Sequence, residues 1–337
     1  MLRSLAIVLG PMLFSAPSSA QNIAHLRTDC TGYSNCFTDM TSLSTWLNDT
    51  RWPTSADPIT VNVGVGDFTG RLYCNGFGMP PGEGGHATYK GESRSGSRLV
   101  GTNTSYPFAT VHSANCDDLD FQNLTIVAPD AELGIALYWT QGGDSRWIDV
   151  DVQAPRYAAW YDSGCAGVPS TSPPAGIHYF QNSTLTAAVL GWYSDCGEAL
   201  LYKTQISVVP TNATSVSGAT VVGVMGNYLA ELYLLDSEVT VDATQRSAAT
   251  TTIGLDVGRT GNGHPQGSGE IEMFGGALTV KGNPDDTLHG ARTKKFSETA
   301  EPAAVRIQGT QLKIQNGTAA ASVVSGDGDL ERVDLAP

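Results

Sequence analysis

Asp149 and Asp151 stand two residues apart in the segment RWIDVDVQ, and Asp162, Asp195 and Glu198 follow further along the chain. Residues two apart on an extended strand face the same side, so the first pair is expected to present two carboxylates together. If Asp162, Asp195 and Glu198 fall on a neighbouring segment, the set offers the several hard oxygens that a calcium ion takes. The same acids would serve acid–base chemistry on a polysaccharide, which makes Asp149, Asp151, Asp162 and Asp195 the candidate catalytic residues. The plainer reading is a set of solvated acids on an acidic surface, and it applies equally to Asp117, Asp118 and Asp120.

Three aromatic doublets accompany these acids: Tyr138-Trp139, Trp160-Tyr161 and Trp192-Tyr193. If one winding of a repeating structure separates each from the next, all six rings line one side. A flat ring takes the C–H face of a pyranose while nearby carboxylates accept its hydroxyls, so the six are the candidate binding residues. The competing reading is an aromatic ladder packed inside the fold. Other chemistries find little support. The six histidines form neither a His-x-His nor a His-Glu-x-x-His pattern, no Gly-x-Ser-x-Gly elbow occurs, and GHPQGSG at 263–269 lacks the context of a phosphate loop.

What must position these residues is written in a repeated phrase. FQNLTIVA at 121–128 returns as FQNSTLTA at 180–187. Looser copies begin at Trp147, Leu201, Leu234, Met273 and Ile307, with a mean spacing of 31 residues. The first position is always large and apolar, and the sixth is always Leu, Ile or Val. The third is Asn, Asp or Gly, except for Lys203. A turn residue feeding an alternating apolar stripe is a bend entering a short strand. A unit of two or three such strands cannot bury its inner face alone, but stacking it on the next copy does. The expected fold is therefore all-β, a single-stranded right-handed parallel β-helix; an antiparallel sandwich gives no reason for the repeated phrase. DMTSLSTWLNDT at 39–50 reads as a short amphipathic helix placed to cap the N-terminal mouth, with Asp39 or Thr41 as its cap. The polar stretch 283–302 reads as a long loop.

Composition agrees with this architecture and bounds the partners. The 337-residue chain carries 38 glycines and few charged residues, and its net charge of −14 argues against a nucleic-acid partner. Residues 1–20 have the form of a signal peptide: Arg3, an apolar run from Leu5 to Phe14, and small residues before a cut after Ala20. Residues 21–337 are then one exported domain, secreted or periplasmic, with no transmembrane segment, expected to be a monomer. Six cysteines in an exported chain suggest disulfides. Cys165 and Cys196 lie 31 residues apart, one mean repeat, and stacked positions suit a disulfide. Cys74–Cys116 is expected across the early windings and Cys30–Cys36 locally.

The opening of the chain resembles a known family. The capping helix, then ITVNVGVGDFTGRL, ATYKGESRSGSRLVG and TVHSANCDDLDFQNLTIVA, is similar to the first windings of pectinesterases in the pectin lyase-like superfamily, over about residues 38–210. The resemblance implies the β-helix fold, but the family's chemistry does not carry over. Its two catalytic aspartates would fall on Tyr157 and Gly191, and the glutamine that supports its oxyanion would fall on Leu133. Phe68 and Gly70 replace a family tyrosine and acid, and only VGRTGNG around Arg259 is similar to the family's arginine motif. Without both carboxylates the usual two-carboxylate mechanism cannot run.

Three functions remain open at this level. The first is a non-catalytic carbohydrate-binding or cell-envelope-associated protein, its partner a polysaccharide or glycan surface, with no cofactor or with calcium. The second is an enzyme acting on polyuronates or another polysaccharide through a divergent acid set. The third is a structural or adhesive module with an exposed apolar face. The first accounts best for the missing aspartates.

Overall fold

The computed structural model describes residues 22–76, 84–102, 108–140, 143–163, 176–211, 220–257, 269–293, 304–316, 322–326 and 329–335. The segment read as a signal peptide, Cys165 and Arg259 lie outside these residues.

Every strand pairing is parallel, and each strand pairs with its counterpart in the winding before and after, which makes the chain a parallel β-helix. The repeated phrase sets the register. Phe121, Trp147, Phe180, Leu201, Leu234, Met273 and Ile307, the seven first positions, occupy one continuous column of paired residues. Their sixth positions form a second column: Ile126, Val152, Leu185, Ile206, Val239, Leu278 and Leu312. A third inward column, Leu72, Val111, Leu137, Trp160, Trp192, Val224, Leu255 and Ala291, closes the tube. Apart from the partly buried Leu312, all are buried, and together they form the core.

The third position of the phrase makes the bend between the first and second columns. Asn123, Asp149, Asn182, Lys203, Asp236, Gly275 and Gly309 all have φ between 48° and 70°. Asn, Asp and Gly tolerate this left-handed conformation, whereas a lysine pays a steric cost there. Lys203→Asn is therefore expected to raise stability by about 0.5–1 kcal/mol, read as a higher urea midpoint with an unchanged slope. The following position is a buried hydroxyl in several windings, and it supports the bend: Val150 N donates to Ser183 Oγ at 3.2 Å and Thr204 N to Ser237 Oγ at 3.0 Å.

The helix forms as Met40–Asp49. Asp39 is its cap and accepts from Ser42 N at 2.8 Å, and Met40, Leu43 and Leu47 are buried against the first windings. Two expected disulfides are present, Cys30–Cys36 and Cys74–Cys116. Cys196 is also disulfide-bonded, while its expected partner Cys165 falls outside the described residues.

One expectation is corrected. Residues read as the start of a long loop contain a strand, Thr287–Thr293, paired with Thr251–Val257. Leu288 and Ala291 are buried, three residues apart, and the threonines, histidine, glycine and arginine around them hid the pattern. Residues 294–302 of that stretch lie outside the description. No helix among the described residues is long and apolar enough to cross a membrane.

Candidate functional site

Alternation along the strands decides which aromatic residues meet solvent. Leu137, Trp160 and Trp192 share an inward column, so the residue after each points outward. That outward column runs Tyr73, His112, Tyr138, Tyr161 and Tyr193, one ring per winding. Neighbouring ring centroids are 4.9, 4.9, 5.7 and 4.5 Å apart. At a strand spacing near 4.8 Å, five rungs make a ledge about 19 Å long. Each ring leans on the next, so the ledge presents ring edges and hydroxyls, not open faces. Tyr73 and Tyr161 are half-buried; His112, Tyr138 and Tyr193 are buried.

The tryptophans are corrected as binding residues. Trp139, Trp160 and Trp192 are 0% exposed. Trp160 stacks on Trp139 at 4.9 Å and on Trp192 at 4.5 Å inside the tube. A second interior stack, Tyr89–Phe121–Trp147–Phe180, meets it edge-on, with Trp147 at 84° to Trp160. Apolar rings leave water most completely in the interior, and the wide tube at these windings needs large residues to fill it.

The acids do not converge. Asp149 is a left-handed bend residue, so it does not share a strand face with Asp151. Asp151 lies on the sheet of the second column, where Arg94 Nε donates to it at 2.9 Å and Nη2 at 2.5 Å. Asp162 points into the tube, 1% exposed, where Ser194 Oγ donates to it at 3.0 Å and His178 Nε2 lies 3.8 Å away. His178 Nδ1 in turn faces Ser145 Oγ at 2.9 Å, and Trp147 Nε1 donates to that hydroxyl at 2.7 Å. Asp195 sits on the outer wall, in a register shift between Ser194 and Cys196. It accepts from Tyr193 Oη at 2.5 Å and from Asn227 Nδ2 at 3.0 Å. Burial, with the nearby Asp195 carboxylate, pushes the Tyr193 phenol well up, so this phenol stays a donor. Of the other acids, Asp118 pairs with His86 at 2.9 Å and Asp120 pairs with Arg146. No group of three or more His, Cys, Asp or Glu among the described residues is placed to hold a metal ion.

Two features escaped the sequence. Tyr73 and His112 extend the ledge beyond the three doublets; their inward neighbours are Leu72 and Val111, so no aromatic pair announces them. Their phase was available, one residue after an inward apolar position. The second feature is the outward row that continues from Glu198 to Glu231 and Glu270 on successive windings. Burial first, then Glu231 and Asp144, raise the pKa of Glu198.

The positions that the resemblance matched to the family's aspartates and glutamine have plain surroundings. Tyr157 is half-buried beside the ledge. Gly191 has no space for a side chain: a Cβ there would lie 2.4 Å from Ile206 Cγ2 and 2.5 Å from the Gly223 carbonyl oxygen. Leu133, at the glutamine position, is 48% exposed in a turn.

No family model matches the sequence, and no curated protein sequence matches it. Solved structures do. Pectin methylesterase PemA from Erwinia chrysanthemi superposes with a TM-score of 0.56 at 14% identity, covering 94% of each chain. A pectin methylesterase in complex with a hexasaccharide gives 0.54 at 14% identity, over 79% of this chain and 81% of that one. YbhC of Escherichia coli gives 0.52 at 12% identity, over 93% and 88%. At these identities the likeness establishes the fold, a pectinesterase-like parallel β-helix.

Proposed function

We propose that this is an exported β-helix protein that holds a polysaccharide along the Tyr73–Tyr193 ledge without cleaving it. The observation that carries the reading is the wall of the tube. Asp162 lies inside it, Asp195 outside it, and Asp151 on another sheet, so the four candidate acids do not form a catalytic pair. The ledge offers ring edges and hydroxyls to a sugar, with a carboxylate and an amide, Asp195 and Asn227, at one end. Two of the similar structures are described as pectin methylesterases, one of them with a hexasaccharide bound, which supports a glycan ligand for this fold. Disulfides support export, since they persist in oxidising compartments. The adhesive reading is less supported. The exposed large apolar residues among those described are Ile23 and Tyr33 at the N-terminal end and Val65, Leu133 and Ile177 on later windings.

One observation favours a second reading. Glu198, whose pKa is raised by burial first and then by neighbouring carboxylates, pairs with Glu231 on the next winding, and a carboxylate so raised suits acid–base work on a polysaccharide.

A polysaccharide array probed with purified protein, with and without calcium, tests both. Binding without unsaturated products, new reducing ends or released methanol is expected. Tyr161→Ala is expected to weaken it by about tenfold. Product formation, lost on Glu198→Gln, would replace the proposal with the enzyme.

A further inference from the structure

We infer that Arg71, at the N-terminal end of the tyrosine ledge, is the residue that recognises an anionic group, a carboxylate or a sulfate ester, on the bound polysaccharide. This rests on the ledge being the polysaccharide site.

Most described arginines of this acidic chain pair with a carboxylate: Arg27, Arg51, Arg94, Arg98, Arg146, Arg156, Arg292 and Arg306. Among the described residues Arg71 and Arg246 do not, and of these two only Arg71 adjoins the ledge. Arg71 immediately precedes the strand Leu72–Asn75 that carries the first ring of the ledge. Its guanidinium carbon lies 4.8 Å from the centre of the Tyr73 ring, and one Nη donates to His112 Nδ1. His112 can accept that bond because burial, helped by the arginine's own charge, holds its pKa down to about 3, and the ring stays neutral. The Arg71 Nε is buried with no partner.

A guanidinium half out of water, with a neutral histidine as its nearest acceptor and donors left over, is short of an anion. Burial alone lowers its pKa, which registers the same deficit. The planar fork suits a carboxylate or sulfate, and its position puts that group at the end of a row of ring edges and hydroxyls along which the rest of the chain would lie.

The test is calorimetric titration of the full mature protein with three oligosaccharides of matched length: a uronate hexamer, a sulfated hexamer and a neutral hexamer. The native protein is expected to bind one anionic hexamer about tenfold more tightly than the neutral one. The carboxylated and sulfated arms identify which anion it prefers. Arg71→Gln is expected to erase that excess and leave the neutral affinity unchanged, while Arg71→Lys keeps part of it. Without oligosaccharide, Arg71→Gln is expected to melt no lower than native, because it removes a desolvated charge. The inference is overturned if the native protein shows no excess for either anion, if Arg71→Gln leaves the excess in place or weakens all ligands equally, or if it lowers the melting temperature. Equal binding of all three hexamers would sink the inference and spare the ledge. Binding of none would sink both.

Discussion

Gly191→Asp, which places an aspartate at a position that the resemblance matched to a pectinesterase aspartate, is expected to cost roughly 3–5 kcal/mol of stability and to create no esterase activity. Gly191 lies where the third wall of the tube comes closest to the second. A Cβ there would overlap Ile206 Cγ2 and the carbonyl oxygen of Gly223 on the next winding. Gly223 and Gly254 repeat the arrangement: each would set a Cβ 2.6 Å from the carbonyl of the next glycine in the column. A carboxylate adds the penalty of an unpaired charge to the overlap. Gly191→Ala separates the terms, with about 1–3 kcal/mol expected from overlap alone. Urea denaturation of the two variants reads both values, and an assay for methanol released from a methyl-esterified polyuronate reads the chemistry. A stable Gly191→Asp protein that hydrolysed the ester would show an open pocket where these contacts place none.

Trp160→Ala is expected to lose about 3–5 kcal/mol, because it opens a large cavity between Trp139 and Trp192 in the interior. Trp160→Phe is expected to lose less than about 2 kcal/mol, since an aromatic ring remains. The indole N–H finds no partner among the described residues, so its removal forfeits no hydrogen bond. Under conditions where Trp160→Ala remains folded, its ligand affinity is expected to match the native protein, because the ring never meets solvent. Thermal melts and titrations on the same samples check both halves. A stable variant with abolished binding would return the tryptophans to the binding site.

The fold was legible because a solenoid repeats its inward residues in a fixed phase. Phe121 and Phe180 announced equivalent rungs, and the left-handed bend two residues later imposes Asn, Asp or Gly on every winding except the one with Lys203. The site was half legible for a physical reason. In Tyr138-Trp139 and Trp160-Tyr161 both residues are aromatic, and composition does not say which of two neighbours faces inward. The answer depends on pairing with Leu137 and Val111, which are not aromatic at all. Asp149 misled similarly, since two-residue spacing implies a shared face only when no bend intervenes. The strand Thr287–Thr293 was hidden because only Leu288 and Ala291 need be apolar when the windings on either side supply the rest of the core.

The central claim is that the ligand lies along the outward column, at Tyr73 and Tyr161, and not on the inward tryptophans. Tyrosine-directed chemical footprinting at saturating polysaccharide tests it most directly. Tyr73 and Tyr161, the half-buried members of the ledge, are expected to lose reactivity on binding, while Tyr179 and Tyr202 on the neighbouring wall keep theirs. Protection of Tyr179 and Tyr202 with Tyr73 and Tyr161 unchanged would place the ligand on a different face and contradict the account.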